Sequence, residues 1–128
     1  MNRSILIVDD NPDQVDSLAR WFILDGWHVV GVIHPRQALE AASFQQFQVA
    51  LLDLSLPEID GIQLMRQLKR TQEVLQVILL SGHDVPASEA KAAGAFACLT
   101  KPCGLALLKA RVNEAFEQAA SACELNAV

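Results

Sequence analysis

Five short apolar runs punctuate the chain, and each breaks off on a polar residue. They span residues 5–8, 29–33, 49–52, 77–80 and 95–99. Several are apolar at every position, so both faces of the strand must be covered, as in a parallel sheet with helices on either side. Longer stretches of helical period separate them. Val15, Leu18, Ala19 and Phe22 form an i, i+3, i+4, i+7 stripe that Gly26 ends. Ala38, Leu39 and Ala42 mark a second helix opening at Pro35, and Gly61, Leu64, Met65 and Leu68 a third. Residues 86–93 give a short fourth helix. Leu105, Leu108, Val112, Ala115 and Phe116 give the fifth, with Gly104 near its start. Five strand-then-helix units predict an α/β fold: a flavodoxin-like, doubly wound, five-stranded parallel sheet of order 2-1-3-4-5 with five helices.

The 128 residues make one domain, expected over 1–120, with 121–128 as a fraying helix end or the start of a linker. A 52% hydrophobic composition supports a packed core. Ten Lys and Arg against fifteen Asp and Glu give a net charge of −5, which disfavours direct contact with nucleic acid phosphates. Neither a signal peptide nor a membrane span is visible, and the three cysteines, Cys98, Cys103 and Cys123, fit reduced thiols in a cytoplasm.

In open α/β sheets, sites lie at the carboxyl ends of the strands. The first run ends in Asp9-Asp10, the third in Asp53, the fourth in Ser81, the fifth in Thr100-Lys101-Pro102. The topology makes these ends neighbours. Three carboxylates brought together repel one another and call for a cation, and a hard divalent ion such as Mg²⁺ (or Mn²⁺) suits oxygen ligands. A carboxylate can act as nucleophile in phosphoryl transfer, while Ser81 and Lys101 are donors for phosphoryl oxygens. Singly, such residues more often cap the following helix, as Asp10 before Pro12 suggests. Five at one sheet edge favour the functional reading.

The stretches Ile5-Leu6-Ile7-Val8-Asp9-Asp10-Asn11, Leu51-Leu52-Asp53-Leu54-Ser55-Leu56-Pro57-Glu58-Ile59-Asp60-Gly61, Leu79-Leu80-Ser81-Gly82-His83, Gly94-Ala95-Phe96 and Leu99-Thr100-Lys101-Pro102 occur in that order. Over nearly its whole length the chain resembles the receiver domain of bacterial two-component response regulators. The resemblance implies that Asp53 accepts a phosphoryl group from a sensor histidine kinase or phosphotransfer protein. It implies Mg²⁺ ligation by Asp10, Asp53 and the Ser55 carbonyl, with Asp9 acting nearby. Lys101 would pair with the acyl phosphate, its bond to Pro102 would be cis, and Ser81 would hydrogen-bond the phosphoryl group and start a conformational switch. Pro57 and Gly61 would shape the loop after Asp53. Such a domain modifies itself and loses the phosphate but turns over no outside substrate. It would signal to an effector domain or partner, with a homodimer as one form. Met1 just ahead of the first run suggests an N-terminal receiver rather than that of a hybrid kinase.

Two features depart from the pattern. Cys98 stands where the family usually carries Tyr or Phe, and Phe96, two residues earlier, is expected on the same strand face. The stretch from Ser81 to Lys101 is short, which predicts an abbreviated or irregular fourth helix. His83 is read as a solvated loop residue, His28 and His34 as surface residues away from the site. Trp21 and Trp27 are read as core or rim, and the cysteines as small buried hydrophobes. Three other functions are weighed. A haloacid-dehalogenase-type hydrolase would want an Asp at position 55, which is Ser. A nucleotide- or flavin-binding module would want glycines after the first strand, where Asp9-Asp10-Asn11-Pro12 stands. A phosphorylation-independent interaction module remains the alternative within the receiver fold.

Overall fold

The computed structural model describes residues 3–56, 58–82 and 87–126. Five strands, β1 (Ser4–Val8), β2 (His28–Val32), β3 (Val49–Asp53), β4 (Gln76–Ser81) and β5 (Ala97–Thr100), form one parallel sheet of order β2-β1-β3-β4-β5. Helices α1 (Pro12–Leu24), α2 (Pro35–Phe44), α3 (Gly61–Thr71), α4 (Ala87–Ala92) and α5 (Leu105–Asn126) alternate with them.

The apolar runs are continuous because the central strands are covered twice. Every residue of β1 and β3 is buried. Leu6, Val8, Ala50, Leu52, Val77 and Leu79 point to the face where α2, α3 and α4 supply Ala38, Ala42, Leu64, Met65, Leu68 and Ala90. Ile5, Ile7, Val49, Leu51, Ile78 and Leu80 point to the other, against Val15, Leu18 and Phe22 of α1 and Leu108, Val112 and Ala115 of α5. Each fully buried branched side chain contributes roughly 1.5–3 kcal/mol, so the two faces together hold the sheet rigid. Gly31 lets α1 approach β2, since a Cβ there would stand 2.6 Å from Val15 Cγ1.

Helix ends follow local chemistry. Asn11, rather than either aspartate before it, caps α1: its side chain accepts from the Asp13 N–H, with Pro12 opening the helix. Gly26, at φ +91°, ends α1 as its position suggested, and the Trp27 N–H returns to the Phe22 carbonyl. Asp60 caps α3 through the Gln63 N–H.

Among the described residues the fourth helix runs over Ala87–Ala92, and Pro86, where it was expected to open, lies outside them. The fifth strand begins two residues later than its apolar run. Ala95 is spent closing α4, its N–H bonded to the Ala90 carbonyl beyond Gly94 at φ +111°. Phe96 therefore precedes the strand, where the two-residue alternation does not hold. It packs on the α1–α5 face while Cys98 packs on the α2–α4 face, so the expectation that they share a face is corrected. The fifth helix continues to Asn126, through the stretch read as a tail.

Trp27 lies in the core, edge-on to Phe22 and Phe116, and Trp21 lies on the rim under Lys109. All three thiols are half-buried rather than buried. No helix among the described residues is long and apolar enough to cross a membrane. Pro57 and His83 lie outside the described residues.

Candidate phosphoacceptor and metal site

The strand order carries the polar strand ends to one edge. Val8 is level with Leu52 across β1 and β3, and Asp53 with Leu80 across β3 and β4, so Asp9, Asp53 and Ser81 emerge side by side. Ser81 pairs with Thr100, which sets Lys101 one step beyond the sheet. The Lys101 N–H donates to the Ser81 carbonyl at 2.6 Å. The peptide bond between Lys101 and Pro102 is cis.

Asp9 and Asp53 are buried, at 2% and 7% exposure, whereas Asp10 is exposed. Carboxylate oxygens of the three lie within 4.8 Å of one another. A set of three hard oxygen donors this close can hold a divalent cation. The Asp9 side chain accepts from the Asn11 N–H at 3.0 Å, and Asp53 Oδ1 from the Ser55 N–H at 3.2 Å. Lys101 Nζ lies 2.9 Å from Asp9 Oδ2 and 3.7 Å from Asp53 Oδ1. Asp9, Asp10, Asp53, Ser81 and Lys101 are therefore gathered at one edge, with exposed Ser55 two residues beyond Asp53.

Electrostatics follow from this crowding. Burial pushes the Asp53 carboxyl above its ordinary range, opposed by the Ser55 N–H and the Lys101 charge and reinforced by Asp9 and Asp10. Burial alone would lower Lys101, but its hydrogen bond to Asp9 and the surrounding carboxylates prevail and hold the ammonium above its usual value. The pocket is thus short of positive charge and gains from a cation.

The loop between β3 and α3 holds Asp53 from behind. The Leu54 N–H donates to the Leu80 carbonyl, and the Gly61 N–H to the Leu54 carbonyl. A Cβ on Gly61 would meet the Asp53 carbonyl oxygen at 2.7 Å and Leu54 Cα at 2.8 Å, so only glycine permits this approach.

One residue reads differently in three dimensions. His34 is half-buried, caps α2 through Nδ1, and stands 3.4 Å from Glu58 in the loop between β3 and α3. The sequence signal was its place just before Pro35, the capping position of a helix.

The profile of the response regulator receiver domain matches residues 5–113. The chain is 34% identical over 128 residues to the transcriptional regulatory protein FixJ of Bradyrhizobium diazoefficiens, covering 97% of this chain and 62% of that protein. It is 30% identical over 122 residues to the transcriptional regulatory protein GlrR of Escherichia coli, covering 94% of this chain and 28% of that one. It therefore spans about a quarter to two thirds of these relatives. A Burkholderia pseudomallei response regulator, crystallised with a phosphorylated aspartic acid, a calcium ion and citrate, superposes with a TM-score of 0.81 at 28% identity, over 96% of this chain and 75% of that one. The chain belongs to the response regulator receiver domain family, which serves phosphorylation-dependent signalling in two-component systems.

Proposed function

We propose that Asp53 is the phosphoacceptor and that the reaction depends on Mg²⁺, with Mn²⁺ able to replace it. The observation that carries this is the burial of Asp53 among two further carboxylates, with Lys101 3.7 Å away. The donor set fits a hard divalent ion: three carboxylates close together, two of them buried. Asp10, Asp53 and the Ser55 carbonyl would hold it, with Asp9 beside it. When bound, the ion offsets carboxylate repulsion and screens an incoming phosphoryl group.

The chain's own groups do the rest. An ionised Asp53 oxygen attacks the phosphorus of a phosphohistidine, the O–P bond forms as the P–N bond breaks, and the departing imidazole nitrogen takes a proton. The Ser55 N–H keeps Asp53 oriented. Lys101, next to Asp53, is placed to donate to a phosphoryl oxygen and stabilise charge there. Ser81, one residue past Leu80 on the adjacent strand, is the hydroxyl that would draw in and report the phosphate. The donor would be a sensor histidine kinase or phosphotransfer protein in the cytoplasm, and the output an effector domain or protein partner. The relatives support this, being longer transcriptional regulators, and so does the phosphorylated aspartate of the Burkholderia regulator.

The test is incubation with acetyl phosphate and Mg²⁺, read by intact mass. A phosphate adduct on the wild-type chain, absent without Mg²⁺ and absent in Asp53→Asn, is expected. No adduct, or one that persists in Asp53→Asn, overturns the reading.

A further inference from the structure

We infer that His34 is a positioning residue for the acceptor loop, holding the segment that carries Ser55 where metal binding needs it. This rests on the Mg²⁺-dependent reading of Asp53 and extends it to a residue outside the pocket.

His34 stands at the start of α2 with extended backbone, φ −137° and ψ 140°. Capping residues are usually Ser, Thr, Asp or Asn. Here the imidazole does that work: Nδ1 accepts from the Arg36 N–H at 3.2 Å. A ring nitrogen that accepts carries no proton, so in the neutral ring the proton sits on Nε2. Nε2 is the atom that faces Glu58, 3.4 Å from Oε2. One ring therefore performs two tasks on two atoms, capping a helix with one and reaching the acceptor loop with the other.

Glu58 lies five residues after Asp53 and three after Ser55. Its φ of +68° is the left-handed region, which non-glycine residues seldom adopt. Both ends of its loop are already anchored, through Leu54 to Leu80 and through Asp60 to Gln63. The contact with His34 ties the loop's middle to a different element, the start of α2 beyond the far edge strand. Mg²⁺ tolerates little departure from octahedral geometry, so a loop free to shift would hold a backbone carbonyl ligand poorly. Partners that orient a metal ligand from outside its shell tune affinity. The pair is partly exposed, 35% and 67%, which keeps the expected effect small.

The two tasks separate by substitution. His34→Asn keeps a good capping residue but is too short to reach Glu58. Glu58→Asn keeps a residue that tolerates positive φ but removes the carboxylate's reach. Mg²⁺ dissociation constants would be measured by titration calorimetry for wild type, both variants and the double variant. Melting temperatures and the Ser55 and Gly61 amide shifts would be recorded alongside. Each single variant should weaken Mg²⁺ roughly threefold with little change in melting temperature. The double should be no weaker than either single, because both remove one contact. Wild-type affinity in both single variants, or additive losses in the double, would overturn the inference while leaving the acceptor reading intact. A wild-type chain that binds no Mg²⁺ would overturn both.

Discussion

Lys101 is closer to Asp9 than to Asp53: Nζ stands 2.9 Å from Asp9 Oδ2 and 3.7 Å from Asp53 Oδ1. The ammonium thus neutralises the more buried carboxylate and leaves Asp53 less fully paired. This arrangement suits a nucleophile, since a carboxylate locked in a tight ion pair would have its lone pairs occupied. It also makes Lys101 a competitor for whatever cation Asp9 would otherwise help to hold.

Lys101→Met should therefore have opposed effects. Loss of the ammonium leaves Asp9 buried and unpaired, a destabilisation of about 1–3 kcal/mol, read as a lower denaturation midpoint without metal. Because the Lys101 pKa is raised on folding, its contribution is fully present at neutral pH and disappears only as pH rises above about 10.5, so the difference between variant and wild type should narrow there. Mg²⁺ should restore much of the loss, while phosphorylation by acetyl phosphate should slow by about tenfold or more.

Asp53→Asn should stabilise the metal-free fold near neutral pH. Burial and the neighbouring carboxylates raise the Asp53 pKa in the folded state. A raised carboxyl group contributes stability that is present below its unfolded value of 3.8 and is lost as pH rises through the higher folded value. At neutral pH the ionised side chain is therefore a liability that the amide removes. A melting temperature higher by roughly 2–5 °C is expected without Mg²⁺, with the gain vanishing below about pH 4. Saturating Mg²⁺ should reverse the order, because a ligand stabilises only the fold that binds it.

Gly61→Ala should disturb the acceptor loop from behind. Its added methyl meets Asp53 and Leu54 backbone atoms, which cannot swing aside as a side-chain tip can. A loss of about 1–3 kcal/mol is expected in chemical denaturation, with phosphorylation slowed as Asp53 is displaced. Gly104→Ala, where a Cβ meets nothing within 4 Å, serves as the control and should do neither.

Trp27 should report the site poorly. Trp27 directly precedes β2 and packs with Phe22 and Phe116, at the amino edge of the sheet. Asp53 closes β3 at the opposite edge, a strand's length of roughly 16 Å away at 3.3 Å per residue. Beryllofluoride with Mg²⁺ is expected to move the backbone amide resonances of Ser55, Ser81 and Lys101 while the Trp27 indole signal stays close to its free position. A large indole shift with unmoved Ser55 and Ser81 amides would contradict this.

The residues that make the pocket were legible because an apolar run meets its first polar residue where a buried strand leaves the sheet. Asp9, Asp53 and Ser81 each mark such a point, Lys101 follows one residue after Thr100 at the fifth, and the order of strand and helix units implied the topology that joins them. What periodicity could not supply was anything beyond the strand's own ends. Phe96 and Cys98 are two residues apart yet face opposite layers, because closing α4 through Ala95 interrupts the alternation before β5 begins. The preference of Lys101 for Asp9, and the meeting of His34 with Glu58, join positions 92 and 24 residues apart. Local sequence determines which groups are available at a strand or helix end. Which of them touch is decided by how two packed layers set those ends in space, and less than an ångström there separates the hydrogen-bonded Lys101–Asp9 pair from the looser Lys101–Asp53 one.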